Sequence, residues 1–121
     1  MSHIYHICTR AAWQKALENS EYRPESLERE GFIHFSERHE LLNVANAFYR
    51  GQGDLVVLIV ETERLKAELC YEPPLHPRHV DFPVSNTALF PHLYGALNLD
   101  AVIDTIEFIP DKNGWFSFSS F

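Results

Sequence analysis

The sequence predicts an α+β fold rather than a doubly wound sheet. Strand-like and helix-like stretches follow one another with few strict β-α-β alternations. The best strand, Leu55 to Val60, is apolar on both faces, as a central strand covered on both sides should be. Near the C-terminus, Asp111-Lys-Asn-Gly114 reads as a turn joining a hairpin of Thr105 to Ile109 and Trp115 to Phe118.

In chain order, His3 to Cys8 reads as a first strand. Thr9 caps a helix over Arg10 to Asn19, with Ala12, Trp13, Ala16 and Leu17 on one face. Ser26 caps a short helix through Glu30, which Gly31 ends. Phe32 to Ser36 alternates as a strand, with Phe32, His34 and Ser36 on one face. Ser36 caps the next helix, with Glu37 and Glu40 in its first turn. Leu41, Val44, Ala45, Phe48 and Tyr49 form its apolar stripe, and Arg50 and Gly51 close it. Lys66 to Tyr71 is a weaker strand or helical turn, Leu89 to Tyr94 is ambiguous, and Leu99 to Val102 is a short helical turn. Between them, Pro73 to Pro83 carries four prolines and reads as a long irregular loop.

The 121 residues are read as one domain, 1–121, and 16 aromatic side chains supply a core without disulfides or metal. The two cysteines, Cys8 and Cys70, form no disulfide framework and read as inert core thiols. With no visible signal segment, a reducing cytoplasm is the expected compartment. The longest apolar run is far too short for a membrane span. A net charge of −7 with no basic cluster argues against nucleic acid as a partner, whereas a small-molecule ligand remains compatible with it.

Seven histidines make that residue type the one to follow. In Gly31-Phe-Ile-His34-Phe-Ser36, imidazole and hydroxyl share a strand face just before a helix N-terminus, a seat for an anion or phosphate. The alternative is that Ser36 only caps and His34 is a half-buried strand residue. In Phe90-Pro-His92-Leu-Tyr94-Gly95, His92 and Tyr94 share a face if the segment is extended, or else form an aromatic corner. His3 and His6 point to opposite faces of a strand and do not chelate together. His76 and His79 would need further ligands, so no metal site is assigned. No G-x-S-x-G, P-loop or G-x-G-x-x-G pattern occurs.

Ile4-Tyr-His-Ile7, Trp13, Gly31 to Ser36, Val44 to Phe48, Asp54 to Leu58 and Phe90 to Gly95 together resemble the bacterial domain-of-unknown-function 952 family. The likeness runs from about Ile4 to Val102. It implies an ADP-ribosyltransferase-like fold: two small, packed, mostly antiparallel sheets with flanking helices and a cleft between them that binds NAD. Leu27 to Ser36 is also similar to the segment of RNA 2′-phosphotransferases in which a glycine precedes a His-containing strand ending in Ser. The resemblance implies that His34 and Ser36 face the cleft and that His92 and Tyr94 form its opposite wall, with His6 beside them. The chain departs from the family in having His6 where Lys is usual, and it lacks an E-x-E or Q-x-E motif. Glu61 is the nearest carboxylate by position.

The resulting expectation is a His-lined cleft for NAD or another nucleotide or phosphorylated ligand. His34 and His92 would be catalytic in ADP-ribosyl or related transfer, and His6, Ser36 and Tyr94 would bind ligand. A non-catalytic binding module is the alternative, and a His-rich metal-dependent hydrolase a third.

Overall fold

A computed structural model describes residues 2–73 and 89–117. Its elements are β1 (His3–Thr9), α1 (Arg10–Asn19), β2 (Glu21–Tyr22), α2 (Glu25–Glu30), β3 (Ile33–His34) and α3 (Arg38–Phe48). These are followed by β4 (Leu55–Glu61), β5 (Glu68–Glu72), β6 (Phe90–Tyr94), β7 (Leu97–Asn98) and β8 (Val102–Phe108). Single 3₁₀ turns at Thr62–Arg64 and Leu99–Ala101 join neighbouring strands. The class is α+β with small antiparallel sheets. Pro74 to Pro83 and the pair His76 and His79 lie outside the described residues.

β4 is the centre of a sheet ordered β1-β4-β8. Its alternate side chains serve two cores, which explains its apolar run. Val56, Leu58 and Val60 pack with Ile4, Cys8 and the strands beyond them, under α1. Leu55 and Val57 pack with Tyr5, Ile7, Leu41 and Ala45 of α3, and with Phe108 and Phe116. A second sheet runs β3-β6-β5, and β2 pairs with β7. The two larger sheets meet at one isolated bridge, Tyr5 to Ser36, made by backbone hydrogen bonds of 2.9 and 2.8 Å.

Thr9 caps α1 as its spacing predicts, its hydroxyl accepting the Ala12 N–H at 3.0 Å. The other two caps differ from expectation. α2 begins one residue before Ser26, with Pro24 at the cap position. α3 begins at Arg38 with Glu37 at its cap and no side-chain cap bond. Ser36 does not cap because its backbone is committed to Tyr5, one residue too early. The turn at Asp111 to Gly114 forms, yet residues 115–117 are not a strand. Asn46 of α3 takes both backbone groups of Phe116, accepting its N–H at 2.8 Å and donating to its carbonyl at 3.2 Å. Phe118 lies outside the described residues. Among the described residues, no helix is long and apolar enough to cross a membrane.

Candidate functional site: a cleft at the seam between two sheets

Pairing of β3 with β6 sets His34 directly opposite His92. Their rings lie edge to face with centroids 5.4 Å apart. Strand alternation adds Phe32 and Tyr94 to the same face. Phe32 stacks on His92 at 4.1 Å and touches His34 and Tyr94 at 4.8 and 5.3 Å.

Each imidazole is tied to a carboxylate. Glu30 ends α2, and Gly31, at φ +89°, turns the chain into β3, so Glu30 Oε1 takes His34 Nε2 at 2.7 Å. Glu72 of β5 accepts from His92 Nδ1 at 2.8 Å and from the Tyr94 hydroxyl at 2.5 Å on the same oxygen. Hydrogen bonds from Tyr94 and His92 hold the Glu72 carboxyl below its ordinary range, against a smaller opposing effect of burial. The bond to Glu72 pushes the Tyr94 phenol up to about 12. Burial pulls His92 below the usual imidazole range, and its bond to Glu72 offsets part of that.

His6 stands where β1 and β3 diverge beyond the Tyr5 bridge. Its Nδ1 donates to the His34 carbonyl at 2.6 Å, in place of a backbone N–H. Its Nε2 therefore accepts from the Tyr22 hydroxyl at 2.7 Å. Burial lowers His6 to about 4, so the ring is neutral at pH 7. The same burial pushes Cys8 up to about 11 and raises Tyr22, as a dry polar chain requires.

His6, Cys8, Tyr22, Glu30, His34 and His92 border a cleft of about 600 Å³ along the outer edge of β1. One wall is the C-terminal half of α3, with Val44, Phe48 and the adjoining Tyr49. Glu25, Arg29 and Glu30 of α2 line it as well. His6, His34, Ser36 and His92 all line it. Tyr94 does not line it, although it shares the face of His92; its hydroxyl donates to Glu72. Of the parts of the expected anion seat, His34 and Ser36 belong to the lining. Ser36 is buried and reaches the cleft, but the first turn of α3 does not. Glu61 lies away from the cleft, at the end of β4, 3.4 Å from His3. Among the described residues, no group of three or more His, Cys, Asp or Glu is placed to hold a metal ion.

Sequence reasoning passed over Glu30, Glu72 and Tyr22, and put Phe32 on the His34 face without giving it a role. Of these, Glu30 carries a local signal, its i to i+4 spacing from His34 across a glycine. Glu72 and Tyr22 reach their partners only through pairings distant in the chain.

The family model described as "Protein of unknown function (DUF952)" matches residues 7–105. The chain belongs to this family. Comparison with curated proteins gives no match for this DUF952 chain. Among solved structures it is similar to protein CC0527 from Caulobacter crescentus. The crystal structure of CC0527 is 29% identical with a TM-score of 0.82, covering 98% of this chain and 96% of that one. Its solution NMR structure is 30% identical with a TM-score of 0.68, covering 95% and 91%. The DUF952 likeness therefore spans both sheets and the cleft between them.

Proposed function

We propose that the cleft binds a nucleotide-type ligand, NAD among them, and that His34 and His92 handle protons in ADP-ribosyl or related group transfer. The supporting observation is the pair of facing imidazoles, each anchored by its own carboxylate, at the wall of a cleft of about 600 Å³. Ligand pockets of roughly 300–1,000 Å³ enclose molecules of this class. The ADP-ribosyltransferase-like grouping belongs to the same proposal, and two small sheets meeting at a cleft support it.

Phe48, Tyr49 and Val44 suit a flat ring. Among the described residues Arg29 is the lining guanidinium and stands 3.5 Å from Glu25, so the described lining fits the nucleoside half better than a diphosphate. In the transfer, the bond from ribose C1′ to the nicotinamide nitrogen breaks and nicotinamide leaves with the electron pair. An acceptor hydroxyl forms the new C1′–O bond, and its proton passes to His92 Nε2. Glu30 is the lining carboxylate beside His34 that would steady positive charge on the ribose. Tyr94 and His6 act as positioning residues, the first through Glu72 and the second through the His34 carbonyl.

Thermal-shift titration with NAD and nucleosides, together with measurement of nicotinamide release, tests this reading. Stabilisation with release, both lost in His34→Ala without unfolding, is the expected result. Stabilisation without release would leave a binding module, and no stabilisation by any nucleotide would end the proposal.

A further inference from the structure

We infer that the polar end of the cleft is a binding site for an organic cation, a primary ammonium group carried on an apolar or aromatic body. This goes beyond the transfer reading, because such a cation would be held whether or not any bond is then broken.

The inference starts from the direction of the hydrogen bonds. Carbonyl and carboxylate oxygens only accept. His34 therefore donates from Nε2 to Glu30, and His92 donates from Nδ1 to Glu72. In the neutral rings, the nitrogens left over, His34 Nδ1 and His92 Nε2, carry lone pairs. Neither has a hydrogen-bond partner among the described residues. His92 is 3% exposed and lines the cleft, whereas Glu72 stands outside the lining. The ring edge away from Glu72 is thus the one that meets the cavity. Nor does the third imidazole, His6, offer a free donor, since its N–H is spent on the His34 carbonyl.

An acceptor that faces a cavity and has no donor among the described residues is open to one from the ligand. An ammonium supplies several N–H donors and a positive charge. That charge meets carboxylates behind both rings, and among the described residues the lining sets Glu25 and Glu30 against Arg29. Phe48, Tyr49 and Phe90 offer aromatic surface in the same cavity, which favours cations further. A phosphate or carboxylate would instead bring acceptors to acceptors, in front of like charge. The net charge of −7 steers cations in the same sense.

Three probes that share one ring test this on the full chain at pH 8: benzylamine, protonated at that pH, benzyl alcohol and benzoate. Calorimetry should rank the amine about tenfold or more above the alcohol, the ratio expected for one charge-assisted hydrogen bond. Benzoate should not bind. Long-range ¹⁵N imidazole spectra should find the proton on Nδ1 of His92 and Nε2 of His34, and the amine should move both rings' signals. His92→Ala should weaken the amine about tenfold. Should that variant unfold, Glu72→Gln, at a partly exposed carboxylate, should weaken it instead. Benzoate binding as well as the amine, no probe binding at all, a proton on His92 Nε2, or amine binding that leaves both imidazoles unmoved would overturn the inference. NAD failing to bind would defeat the transfer reading and leave these outcomes unchanged.

Discussion

Acid should destabilise this protein through His6, and the size of that effect follows from its setting. The ring is buried and neutral, with both nitrogens engaged, and its folded value is about 4. The unfolded chain takes up the proton at the ordinary value of about 6.5. Between these values the unfolded state binds more protons than the folded one, so stability rises with pH through this window and is lost on acidification. Going from pH 7 to 4.5 removes about 2.5 kcal/mol on this account, at about 1.4 kcal/mol per pKa unit. The assay is urea unfolding at both pH values, for the wild type and for His6→Gln, which cannot titrate there. The drop in stability should be about 2.5 kcal/mol larger in the wild type. His92, also pulled low, contributes in the same direction to both proteins and cancels from the difference. Equal pH dependence in the two proteins would refute the reasoning.

Other outcomes follow from single contacts. Leu58→Ala, at a fully buried position of the central strand, should cost about 2–5 kcal/mol in urea unfolding. Gly95→Ala places a Cβ 2.7 Å from Ala67 Cβ, so it should destabilise by about 1–3 kcal/mol, and Ala67→Gly should restore most of the loss in thermal melts. Thr9→Ala should lose about 1 kcal/mol through the cap on Ala12, while Thr9→Ser keeps it, read from the same unfolding curves.

Local chemistry made part of the fold legible. Thr9 and the apolar positions Ala12, Trp13 and Ala16 mark α1 to the residue, because a cap and a helical period are both short-range signals, whereas Leu17, expected on the same face, is exposed. The apolar run of β4 announced a strand covered on both faces, and two cores do cover it. The spacing of His34 and His92 within their segments named two rings that the β3–β6 register then set opposite each other. Other features depend on distant pairing and leave little local trace. β2 is two residues long and has no period to detect, yet its Tyr22 holds His6. Glu72 reaches His92 only because β5 pairs with β6 in that register. The hairpin was misread for a related reason: the turn is local, but Asn46, some 70 residues earlier in the chain, occupies the backbone that a second strand would have used.

The junction of the two larger sheets is a single residue pair, with one imidazole filling the gap just past it. Each sheet keeps its own ladder on either side of that joint. Behind that joint one core holds both halves together, since Ile4, Val56 and Leu58 pack in the same cluster as Ile33, Phe35 and Leu93. With the strands fixed by that core, substitutions at the lining positions of α2 and α3 can recut the opening for new molecules while the ladders stay in register.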